Sequence, residues 1–66
     1  NPAHHSISIK GEFAKLELFN TQGQFVLVQN GGRDAVVNVA FLPKGIYFMK
    51  LTSMHGELLM QRMLKN

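Results

Sequence analysis

The stretch of residues 42–51 constrains the fold most, because it joins the sharpest turn signal of the chain to its longest apolar run. Pro43 has the φ angle that the second position of a β-turn needs, and Gly45 suits the fourth position, so the pattern predicts a chain reversal over residues 42–45. In the strand that follows, both faces are apolar except at Lys50. Such a strand is typical of the centre of a sheet, with something packed over each of its faces.

Short segments of β-type pattern recur through the rest of the chain. The predicted strands cover residues 6–10, 14–19, 24–29, 35–39, 45–51 and 57–64. The pair Gly11-Glu12 and the loop of residues 30–34 predict breaks, and residues 20–23 and 53–56 predict hairpin turns that end in a left-handed glycine. No segment has apolar residues at helical spacing with caps. The sequence therefore predicts an all-β fold, an antiparallel β-sandwich of about six or seven short strands.

Length and composition exclude several classes of protein. The 66 residues are enough for one small domain, which we assign to residues 1–66, and the absence of cysteine excludes disulfides, thiol catalysis and thiolate zinc sites. The net charge of +3 comes from scattered cations, which argues against a nucleic-acid partner. No apolar run is long enough to span a membrane. Because the chain does not begin with methionine, we expect it to be a piece of a longer protein.

The polar residues do not predict an active site. His4 and His5 are neighbours in an extended segment, so their side chains point in opposite directions and solvated imidazoles are favoured over a metal site. The acidic residues lie on separate segments, and no hydroxyl stands in the context of an activated nucleophile. We therefore predict no catalytic residue, no bound metal and no cofactor.

The large apolar residues allow two interpretations. The four methionines could form an adaptable binding surface, but gap filling in a small core is favoured. The five phenylalanines and Tyr47 are likewise assigned to the core rather than to a sugar-stacking platform, with both roles left open for Tyr47.

The last predicted strand has a poorly specified inward face. Leu58, Met60 and Leu64 share one face with Arg62, and the other face also mixes apolar and polar residues. A strand of this kind can slip in register, pair with a receptor or exchange with a second copy into a dimer.

Four segments together resemble the type A C-terminal sorting domain of the Bacteroidetes type IX (Por) secretion system. They are the opening Asn1-Pro2-Ala3, the hairpin segment of residues 16–26, the turn and strand of residues 42–51, and the closing Met63-Leu64-Lys65-Asn66. The resemblance runs nearly from end to end. The sequence departs from the family pattern at Gln24, where arginine is commoner, and at Asn66, which follows the lysine that often ends the chain.

The resemblance implies an Ig-like sandwich that follows an N-terminal cargo domain and serves as its export signal. The partners would be the type IX outer-membrane translocon and a sortase-like peptidase that removes the domain upstream of Asn1 and joins the cargo to surface lipopolysaccharide. The cargo would pass through the periplasm to the cell surface or the extracellular space.

From the resemblance, together with the poorly specified last strand, we assign expected roles to residues. The residues expected to be read by the export machinery are Arg62, Met63, Leu64, Lys65 and Asn66. The residues expected to serve the structural motif are Asn1, Pro2, Gly23, Pro43, Lys44, Gly45 and Tyr47. The alternative is an Ig-like accessory or adhesion module that stays on the mature protein and binds carbohydrate or a protein partner, and exposed aromatic side chains would favour it.

Overall fold

The computed structural model describes residues 2–3 and 5–66, and these residues form strands, turns and bends but no helix. The strands of this part of the chain are β1 (Pro2–Ala3), β2 (Ser6–Asn20), β3 (Phe25–Asn38), β4 (Gly45–Thr52) and β5 (Leu58–Lys65). They form one sheet in the order β1-β5-β4-β2-β3. Strands β2 to β5 pair in antiparallel fashion, and β1 lies parallel to the end of β5.

The long hairpin of β2 and β3 folds back over the rest of the sheet. A straight strand of the 15 residues of β2 would span about 50 Å, whereas the longest dimension of the molecule is 32 Å. The bend lies at a register shift between Ile9 and Glu12, where Gly11 has a φ of 82° and Asp34 has a φ of 48°. The Gly11 amide donates a hydrogen bond of 2.7 Å to the Asp34 carboxylate, which ties the two strands together at the bend.

The core lies between the folded half of this hairpin and the sheet. Within β2, only residues 15–20 pair with β4. Residues 6–13 of β2 and their partners at 32–38 of β3 therefore extend beyond β4. The buried apolar residues from both sides form one cluster: Ile9, Phe13, Leu16, Leu18, Val37, Val39, Leu42, Tyr47, Met49 and Met63. The sheet thus covers one of its own faces with its own bent end.

The all-β prediction is confirmed, but a sandwich of six or seven strands is not. The described residues form five strands in one sheet, and an Ig-like arrangement is not confirmed. The difference arises because the predicted breaks at Gly11-Glu12 and at residues 30–34 lie inside continuous strands, as a bend in β2 and as part of β3. Glycine tolerates a positive φ without ending the ladder, so it bends these strands without separating them.

Both predicted hairpin turns are present and have the same construction. In the first, the Asn20 carbonyl accepts from the Gly23 amide, and the Asn20 side chain accepts from the amides of Gln22 and Gln24. In the second, the Ser53 carbonyl accepts from the Gly56 amide, and the Ser53 hydroxyl accepts from the amides two and four residues later. Gly23 and Gly56 have φ angles of 82° and 86°, as a left-handed turn ending requires.

The connection from β3 to β4 differs from the predicted turn. Its turn hydrogen bond joins the Leu42 amide to the Val39 carbonyl, three residues earlier than the predicted reversal at residues 42–45. Pro43 has another role, because its carbonyl accepts a hydrogen bond of 2.6 Å from the hydroxyl of Tyr47, a residue that is buried as a whole. This bond anchors the connection to the central strand.

We expect Tyr47→Phe to lower the free energy of unfolding by about 1 kcal/mol, because it removes this hydrogen bond while keeping the ring. Chemical denaturation followed by circular dichroism measures the change. A variant as stable as the native protein would show that the Pro43 carbonyl is satisfied equally well by water.

Candidate recognition surface

Strand β4 lies at the centre of the four long strands, between β5 and β2, but only one of its faces is covered. Tyr47 and Met49 are buried against the folded hairpin, whereas Ile46 and Phe48 on the other face are 41% and 38% exposed. The prediction of a central strand is therefore confirmed. The prediction that something packs over both faces is wrong for the described chain, because the bent hairpin covers only one side.

The uncovered side is called the outer face here, and the strand register defines its members. Cross-strand partners point to the same side of a sheet, so each row of partners across β3, β2, β4 and β5 adds one row to the face. The rows are Asn30, Lys15, Thr52 and Leu58; Val28, Glu17, Lys50 and Met60; Phe25, Phe19, Phe48 and Arg62; and Ile46 with Leu64.

The outer face is largely apolar and carries a shallow groove. Phe25 and Met60 are exposed, and the rings of Phe19 and Phe25 lie 4.7 Å apart between centroids at a tilt of 35°. Phe19, Phe48 and Met60 line the groove, which the turn of residues 20–23 closes at one end. Exposed apolar side chains bordered by polar residues are typical of binding sites on protein surfaces.

Positive charge dominates the polar part of the outer face. Its single carboxylate, Glu17, is buried and lies 3.8 Å from the Lys15 ammonium and 4.0 Å from that of Lys50. The Arg62 guanidinium has no carboxylate within 4.0 Å among the described residues. The face therefore presents three cations against one shared, buried anion.

The residues predicted to be read by the export machinery lie at the end of β5 and do not share one surface. Arg62 and Leu64 point to the outer face, whereas Met63 and Lys65 are buried. The Lys65 ammonium donates to the Asn66 carbonyl at 3.2 Å, and Asn66 is exposed. Strand β1 pairs with Leu64 and Lys65, so the edge of β5 before them has no neighbouring strand in the described chain.

The residues assigned to the structural motif are distributed along the sheet. Asn1 lies outside the described residues, and Pro2 belongs to β1. Gly23 closes the first hairpin turn, Pro43 and Lys44 are exposed in the connection before β4, and Gly45 opens β4 with a φ of 148°. Tyr47 is buried, which excludes it as a sugar-stacking platform in this conformation.

The core assignment of the methionines and phenylalanines is correct for only part of each set. Met49, Met63 and Phe13 are buried, Phe19 is half-buried, and the remaining members are exposed: Phe25, Phe41, Phe48, Met54 and Met60. Sequence reasoning therefore missed most of the outer face. The signal that could have found it is the apolar alternation on both sides of β4, combined with a chain too short to cover both.

Groupings typical of metal sites or membrane helices do not occur in residues 2–3 and 5–66. No three histidine or acidic side chains of this part come together as a metal site. His4 lies outside it, so the pair of histidines is described only at His5. The same residues include no helix that could cross a membrane.

A comparison with family models gives a match. The model described as the secretion system C-terminal sorting domain matches residues 1–66, which is the whole sequence. No curated protein and no solved structure matches the chain.

Proposed function

The chain belongs to the secretion system C-terminal sorting domain family, and from that premise we propose that it directs an N-terminal cargo through the type IX outer-membrane machinery. The observation that carries the proposal is the family match over the whole sequence. The family is not an enzyme family, and its role implies export to the cell surface or the extracellular space. Transit through the periplasm and removal by a sortase-like peptidase complete the proposed sequence of events.

In this proposal the end of β5 is read directly by the machinery. Arg62, Leu64 and Asn66 are exposed there, and the edge of β5 that precedes Leu64 offers unpaired backbone groups. An exposed sheet edge is a common docking site for an extended segment of a partner. The buried Lys65 would act by holding the Asn66 carbonyl in place rather than by contacting the receptor.

We expect deletion of Lys65 and Asn66 to lower export of a fused passenger about tenfold or more, which corresponds to about 1.4 kcal/mol of lost recognition. Passenger activity at the surface of a bacterium with a type IX system measures the change. Arg62→Ala should also lower export, and Arg33→Ala serves as its control, because Arg33 is exposed at the bend and pairs with Glu12. Unchanged export after the deletion would refute direct reading of the tail.

A second candidate function is favoured by the exposed aromatic side chains of Phe25, Phe41 and Phe48. An accessory or adhesion module retained on the mature protein would use such side chains to bind a protein or carbohydrate partner. Intact-mass measurement of the mature secreted protein separates the two functions. A mass without residues 1–66 agrees with the sorting signal, and a mass that includes them agrees with the accessory module.

A further inference from the structure

We propose that the outer face is a docking surface for a protein partner whose contact area is apolar at its centre and bordered by carboxylates. The inference rests on the proposed function and deepens it, because it names a surface by which the export machinery would hold the domain in addition to the tail. This surface extends well beyond the residues at the end of β5, since most of the face lies on β2, β3 and β4.

The first step is the apolar content of the face. Phe25, Met60 and Leu58 are 60%, 59% and 61% exposed, and they share the outer face with the less exposed Phe48. Burying such side chains against an apolar partner is favourable in proportion to the area removed from water. The core side of the sheet is already filled by the folded hairpin, so a partner can be added only on this side.

The second step is the shape of the face. The groove has a volume of about 310 Å³ and lies between the aromatic rings of Phe19 and Phe48 and the flexible side chain of Met60, with Asn20 and Thr21 at one end. A concave, mainly apolar site with polar groups at one end is suited to a protruding side chain of another protein. Binding hot spots are commonly side chains that fill such a pocket on the partner. A bilayer surface has no fixed protrusion of this kind, so the groove favours a protein over a membrane.

The third step is the charge of the face. Lys15 and Lys50 share the buried Glu17, and Arg62 has no carboxylate near it among the described residues. A partner with carboxylates at the border of its apolar contact area would compensate this excess of positive charge. A second copy packed face to face would bring the same cations together, which disfavours self-association through this surface.

The exposed residues offer closely matched variants for a test. Met60 on the outer face and Met54 in the second turn are both 59% exposed, and Phe25 on the face and Phe41 in the connection are 60% and 63% exposed. The double variant Met60→Ser with Phe25→Ser therefore removes apolar side chains from the face. The double variant Met54→Ser with Phe41→Ser removes the same side chains from outside it.

Export of a fused passenger is the first measurement. We expect the outer-face double variant to lower export about tenfold and the control double variant to leave it unchanged. Equal export of the two variants would overturn the docking surface while the native fusion still demonstrates the sorting function. A native fusion that is not exported would instead refute the proposed function.

Photo-crosslinking is the second measurement, and it tests the surface without replacing the groups around it. A photoreactive phenylalanine at position 60, with position 54 as control, is placed in the exported fusion, and crosslinked peptides are identified by mass spectrometry. We expect position 60 alone to give a peptide of another protein that combines apolar residues with aspartate or glutamate. Crosslinks to lipid, to a second copy or equally from both positions would overturn the proposal, whether or not the serine variants fold.

Discussion

Phe13→Ala is expected to remove a large share of the stability of the domain. The Phe13 ring is 1% exposed and lies beside the bend at which the long hairpin folds back over the sheet. Replacing a buried phenylalanine by alanine costs about 3–5 kcal/mol, and a domain of this length has a total stability of roughly 3–10 kcal/mol. The variant would therefore lose a large share of its stability, or all of it.

The measurement is thermal unfolding followed by circular dichroism, in which we expect the midpoint to fall by roughly 12–40 °C. Phe41→Ala is the matched control, because Phe41 is 63% exposed and its removal leaves no cavity. A Phe13→Ala variant as stable as the control would mean that the folded half of the hairpin does not close over this ring in solution.

Gly32→Val is expected to destabilise the domain because it adds atoms next to the Phe13 ring, whereas Phe13→Ala removes the ring. A Cβ atom at Gly32 would lie 2.9 Å from Cζ and 3.0 Å from Cε1 of the Phe13 ring. Because that ring is fully enclosed, it can move only by disturbing its neighbours, and overpacking of this kind costs about 1–3 kcal/mol. Urea denaturation measures the loss.

Asn30→Val provides the control for the overpacked variant. Asn30 lies two residues earlier on the same strand and is exposed, so the substitution adds the same side chain without a buried neighbour. We expect its stability to remain near that of the native protein. Equal losses at both positions would show that the contact with the Phe13 ring is not the cause.

Local chemistry made some parts of the structure predictable from the sequence. The two hairpin turns depend on residues within four positions of each other, namely an Asn or Ser side chain that accepts backbone hydrogen bonds and a glycine that takes a positive φ. The central position of β4 was also predictable, because an apolar run of this length is typical of a strand inside a sheet and not at its edge. These features required no knowledge of how the chain folds back.

The bend and the exposed face could not be derived in the same way. Gly11 and the adjacent Gly31 and Gly32 read as breaks, yet the ladder continues through them, because the fold-back uses their backbone freedom inside the strands. Phe13 and Phe25 are the same residue type, and only the tertiary packing decides that one is enclosed and the other exposed. The outer face could therefore be identified only from the structure, which shows which face of the sheet the folded hairpin covers.

The parallel pairing of β1 with the end of β5 has a mechanical consequence. Pro2 is paired with Leu64 and Ala3 with Lys65. Under the proposed function, a load between a preceding cargo and a receptor bound at the end of β5 would pull these two strands along their length in opposite directions. Among the described residues, two residue pairs resist this shear, whereas β5 is joined to β4 by eight. Under tension, β1 would therefore separate from β5 before β5 separates from β4. The residues of β1 would then form a short flexible link between the cargo and the sheet, whose other strands would stay paired.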